Sequence, residues 1–73
     1  MTLDQIKVGD DFTINAVRAR GEIRRRLVDM GFVCGAFGRV LRKALLGDPI
    51  ELRLGTYLIS IRAAEARNIE VEN

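Results

Sequence analysis

The chain contains no histidine and no tryptophan, and Cys34 is the one cysteine among its 73 residues. Each absence closes a class of chemistry. Without histidine the commonest general acid–base is missing. A lone thiol with no imidazole to activate it reads as a buried, inert side chain rather than a nucleophile. Ser60 falls in mid-strand with no base in view, and the carboxylates are scattered over turns and outward strand positions. The expectation is no enzyme and no cofactor. Structural zinc and iron–sulfur sites draw on several Cys or His side chains, which one copy of this chain cannot supply. Asp10 and Asp48 each follow a glycine, a turn setting, so Asp10 with Asp11 and Asp48 with Glu51 read as turn and strand residues rather than cation ligands. A metal shared between two chains stays open, and so does a homo-oligomer.

Long hydrophobic runs are also missing. Nothing approaches the roughly 20 apolar residues of a membrane span, and the opening MTLDQIKVG has no apolar stretch of the signal-peptide kind. The default reading is a soluble, cytoplasmic protein that does not itself span a membrane. Aromatics are few: Phe12, Phe32, Phe37 and Tyr57. Phe12, Phe32 and Tyr57 fall at expected core positions, which leaves little for bases to stack on and disfavours nucleic acid as a partner.

What is present is an apolar share of 48% and a charge that is small but unevenly placed. A domain of this size without disulfide or metal staples depends on its apolar core. No repeat, linker or low-complexity stretch divides the chain, so residues 1–73 are read as one domain. The net charge is +2, yet residues 18–43 carry a local +6 and both flanks are acidic. That asymmetry suits an acidic partner surface.

Periodicity gives the elements. Thr2 is placed to cap one helical turn before the Gly9-Asp10 turn. DFTINAV alternates, with Phe12, Ile14 and Ala16 on one face of a strand. In GEIRRRLVDMGF, Ile23, Leu27 and Met30 fall on one helical face, with Gly21 as N-cap. Gly31 suits the left-handed C′ position, and Phe32 then folds back onto Leu27. Arg24 and Arg25 point away from this stripe together with Val28. Arg26 flanks it and is expected to pair with Asp29 three residues on.

GAFGRVLRKA reads as a strand in which Gly38 predicts a bulge or sharp bend. Ile50, Leu52 and Leu54 alternate on a further strand, and Tyr57, Ile59 and Ile61 on another. Gly55-Thr56 between them forms a tight hairpin turn. Leu45 and Leu46 adjoin the Gly47-Asp48-Pro49 turn, one expected in the core and the other at the surface. AAEARN supplies one helical turn and IEVE a closing strand. Short strands at close spacing predict a small, strongly bent barrel.

RRRLVDMGFVCG, then KALLGDPIELRL, then YLISIRAAEARNIEV, form an ordered pattern that resembles the ferrous iron transport protein A (FeoA) family over essentially the whole chain. The resemblance implies a mainly β fold with short helices, an SH3-like barrel of about five strands with a helix inserted after the first long strand. Arg26, Leu27, Asp29, Met30, Gly31, Gly35, Gly47, Asp48 and Pro49 are the positions carrying the family pattern, and their expected role is structural. Three positions depart from it: Cys34 and Leu45 stand where the family often has proline, and Gly38 where a β-branched residue is common. The resemblance further implies a cytosolic accessory of ferrous iron uptake. Its partner would be a membrane ferrous iron transporter with a cytosolic GTPase domain, and this chain carries no Gly-Lys-Ser/Thr phosphate loop of its own. A metal-responsive regulatory domain, of the kind joined to iron-dependent repressors, is the alternative. The expected partner contacts are Arg24, Arg25 and Val28 on the outward helix face, with Leu46 on a neighbouring loop.

Overall fold

In the computed structural model, which describes residues 1–73, five strands form one antiparallel sheet in the order β4-β3-β2-β1-β5. They are β1 (Asp11–Val17), β2 (Phe37–Lys43), β3 (Ile50–Leu54), β4 (Tyr57–Ile61) and β5 (Ile69–Glu72). Helix α1 (Gly21–Asp29) lies between β1 and β2, and the single-turn helix α2 (Ala63–Ala66) lies between β4 and β5. Short 3₁₀ turns occupy Leu3–Gln5 and Leu45–Gly47.

Period-two alternation fills the core. Phe12 and Ile14 of β1, Val40 of β2, Ile50, Leu52 and Leu54 of β3, and Ile69 and Val71 of β5 are all buried. Leu3, Ile6, Leu27, Phe32, Ile61 and Ala66 complete the cluster. No buried side-chain nitrogen or oxygen lacks a hydrogen-bond partner, so the interior carries no polar penalty. The sheet bends where the pairing slips by one residue: between Ile14 and Ala16 of β1 against β5, and between Val40 and Arg42 of β2 against β3. Such bulges increase local twist and let a short sheet curl.

Gly38 is not one of those bulges. It pairs in register with Phe12 on one side and Leu54 on the other. A Cβ there would lie 2.0 Å from the Arg53 carbonyl oxygen and 3.1 Å from Phe12 Cζ. The glycine marks a close approach of side chain and backbone, the second meaning of a glycine within a strand.

The β3–β4 hairpin follows its sequence signal. Leu54 pairs with Tyr57 across Gly55-Thr56, and Gly55 alone takes a positive φ of 59°, the pattern of a type II′ turn. At the amino terminus the Gln5 side chain accepts the Thr2 N–H at 2.9 Å, closing the first 3₁₀ turn.

Helix α1 begins one residue earlier than expected. Arg20, extended at φ −130°, is the N-cap, and Gly21 with φ +62° is the first residue of the helix. Its end agrees with the sequence. Phe32 N–H donates to the Leu27 carbonyl at 3.0 Å and Gly31 N–H to that of Val28 at 2.9 Å, with Gly31 at φ +108°. This double closure is the Schellman motif, and it seats Phe32 in the core beside Leu27.

Candidate functional site

Only Leu27 of the expected helix stripe is fully buried. Met30 is half-buried against the core, whereas Ile23 is 48% exposed. Ile23 lines a shallow hollow with Glu22, Arg25, Arg26, Asp29 and Met30, all on the helix or its cap. Ile23 is not part of the core cluster, despite its place on the apolar stripe.

The three arginines divide by partner. Arg26 forms an ion pair with Glu65 of α2, not with Asp29, and thereby ties the two helices. Arg24 Nη1 donates to the Val17 carbonyl at 2.7 Å, covering the end of β1. Arg25 lies 3.8 Å from Glu22 one turn back, an exposed pair of small energetic weight. Arg24, Arg25 and Val28 line one depression of about 390 Å³ with Gly21 and Asp29. The structure therefore brings three of the four expected contacts together, although Val28 is half-buried rather than fully outward.

Leu46 does not line this depression. It sits in the turn between β2 and β3, 96% exposed, in the left-handed region at φ +64°. Leu45 beside it is exposed as well, so neither leucine of the pair enters the core. The turn is a surface projection held from below. The Ala44 N–H donates to the Pro49 carbonyl at 3.0 Å, and Gly47 takes φ +78°. Asp48 Oδ1 accepts the Ala63 N–H at 3.0 Å and its Oδ2 lies 3.2 Å from Arg62. Asp48 thus caps α2 from a distant loop rather than only its own turn.

Cys34 is exposed, contrary to the buried thiol expected. The Ala36 N–H donates to the Val33 carbonyl at 3.0 Å, making Cys34 and Gly35 the central pair of a turn, and Gly35 has φ +92°. A positive φ at the third turn position is the type II form, which places Cys34 at the tip, outside the sheet. Tyr57 and Phe37 are exposed too. Tyr57 belongs to the inward face of β4, but β4 is an edge strand and the ring stays outside the core. Exposed aromatics on a sheet therefore exist, and the aromatic shortage that counted against nucleic acid is smaller than the sequence suggested.

Charge on the outer sheet face is ordered in rows. Asp11 Oδ1 accepts Arg39 Nε at 2.7 Å, and this hydrogen bond holds the Asp11 carboxyl below its ordinary range and raises Arg39. Arg42 donates to Glu51 at 2.7 Å from Nη2. Arg53, directly across from Arg39, makes no close ion pair, and its charge adds to the lowering of Asp11. No three His, Cys, Asp or Glu side chains come together as a metal-binding group, and no helix is long and apolar enough to cross a membrane.

The comparisons agree with this architecture. Residues 1–73 match the FeoA domain family. A Porphyromonas gingivalis Fe(2+) transport protein A/Fe(2+) transporter FeoB fusion protein is 40% identical over 99% of this chain, which spans 8% of the fusion's length. The FeoA protein from Chlorobium tepidum superposes with a TM-score of 0.91 at 44% identity, covering 99% of this chain and 69% of that one. Stenotrophomonas maltophilia FeoA, described as a prokaryotic SH3 domain protein and solved with zinc, gives a TM-score of 0.87 at 29% identity over 99% of this chain and 89% of that one. With an SH3-like sheet, a helix inserted after the first long strand, and a match along its entire length, this chain belongs to the FeoA family.

Proposed function

We propose that this chain is a protein-interaction module of ferrous iron uptake that docks on the cytosolic part of an FeoB-type transporter and modulates it. The fusion carries the reading: a relative of 99% of this chain is covalently joined to an Fe(2+) transporter FeoB. A tether raises the effective concentration of two modules that work side by side.

The docking surface is the α1 depression of Arg24, Arg25 and Val28, with Leu46 as a second contact. Arginine beside a partly exposed apolar residue matches the makeup of interface anchors. A leucine held at positive φ costs roughly 1–3 kcal/mol relative to an unstrained position. Strain kept at a fully exposed leucine has no use in the core and supports a contact role. The test is capture of the transporter's cytosolic domain by the purified chain. Arg25→Glu with Val28→Asp abolishes capture with an unchanged thermal midpoint, and Leu46→Gly weakens it without loss of stability. Full capture by both variants removes this surface from the proposal.

A further inference from the structure

The two expected docking contacts lie on separate elements. Leu46 belongs to the turn between β2 and β3, whereas Arg24, Arg25 and Val28 belong to α1. The single-turn helix α2 is joined to both. On the loop side, Asp48 Oδ1 accepts the Ala63 N–H at 3.0 Å and Oδ2 lies 3.2 Å from Arg62. On the helix side, Glu65 Oε2 pairs with Arg26, while its Oε1 accepts the Arg62 N–H at 3.0 Å. Arg26 in turn shares a hollow with Arg25, which also lines the depression of Arg24 and Val28.

A helix of one turn has little stability of its own. Helix α2 is anchored by buried Ala66 and, at its amino end, by these two carboxylates. Each divides its oxygens alike, one on a backbone N–H at the start of α2 and the other on an arginine. The Leu46 turn closes on its own stem, with Gly47 N–H donating to the Ala44 carbonyl at 2.8 Å and Ala44 N–H to that of Pro49 at 3.0 Å. Those bonds set the shape of the turn. The bonds that leave it for another element are those of Asp48 to α2, and they set its direction.

We infer that α2 is a brace that fixes the spacing of the two docking contacts, with Asp48 and Glu65 as its positioning residues, which rests on the docking reading above. Two contacts on separate elements engage one folded partner together only when their spacing matches it. Spacing fixed in advance removes the cost of ordering a mobile turn on binding. Within the free chain the brace brings Leu46 no burial, since its side chain stays 96% exposed. The direction it gives that leucine is of use to a partner, not to the core. Arg62 and Glu65 also line a hollow of about 440 Å³ with Arg26 and Met30, so one surface runs from α1 to the brace.

A double-mutant cycle, read by capture of the transporter's cytosolic domain, tests the brace. Asp48→Ala removes the acceptor of the Ala63 N–H and should weaken capture roughly tenfold, the loss of one strong contact. In a Leu46→Gly background the same change should add less than about twofold, because no leucine remains to be placed. A residue that serves folding alone would cost as much in both backgrounds, and that result overturns the brace. Full capture by Asp48→Ala overturns it too. Arg26→Gln cuts the link to Glu65 and carries the same cycle should Asp48→Ala fail to fold. Full capture by Leu46→Gly removes the second contact itself, and the brace with it. Weakened capture by Leu46→Gly beside full capture by Asp48→Ala overturns the brace alone, so the two readings fail separately.

Discussion

The two ends of helix α1 share a sequence pattern but not an environment. At the carboxyl end Leu27 is fully buried, Arg26 reaches Glu65 of α2, and the Gly31 closure turns Phe32 into the core. At the amino end Ile23 is nearly half exposed, and Arg24 is held only by the carbonyl that ends β1. One end fastens the helix to the fold and the other projects as a surface. Helical periodicity says which residues share a face; it does not say what lies opposite that face.

Three substitutions measure this difference by chemical denaturation, from the largest effect to the smallest. Leu27→Ala removes a fully buried side chain and should cost about 2–5 kcal/mol, as other large-to-small core changes do. A loss below about 1 kcal/mol would mean that the carboxyl end is no better anchored than the amino end. Gly31→Ala forces a methyl-bearing residue to φ +108° with its Cβ 3.4 Å from Leu54 Cδ2, and should cost about 1–2 kcal/mol. Ile23→Ser should change stability by no more than about 0.5 kcal/mol, the usual range for a surface site. If Ile23→Ser proves as costly as Leu27→Ala, the two ends are alike and the comparison breaks.

Local pattern made much of the fold legible. The strand DFTINAV, the Gly55-Thr56 hairpin, the Gly31 closure and the closing IEVE depend on neighbours in sequence, and each lies where its residues indicate. What was not legible depends on distant partners. Arg26 had a carboxylate three residues away in Asp29, yet its partner is Glu65, brought close only by the packing of α2. Tyr57 alternates correctly, but its strand is an edge and nothing covers its tip. Cys34 looked apolar by type, and the Val33–Ala36 turn turned it outward. That turn also accounts for the proline common in the family at this position: Cys34 is the second residue of a type II turn, where a fixed φ of about −65° fits. Of the candidate site, the grouping of Arg24, Arg25 and Val28 could be read from helical geometry. The bracing by α2 could not, because Asp48 meets Ala63 only in the folded chain.

Gly38 and Phe12 also bear on how this chain can change over time. The Arg53 carbonyl occupies the space that a side chain at 38 would need, and the Phe12 ring crowds it as well. A β-branched residue, common at this position in the family, cannot be reached here by one substitution. It requires the β3 backbone at Arg53 to move away first, with a smaller adjustment of the Phe12 ring. Position 38 is therefore coupled in its history to the β3 backbone it faces and, more weakly, to position 12, while the exposed neighbour Phe37 can drift alone.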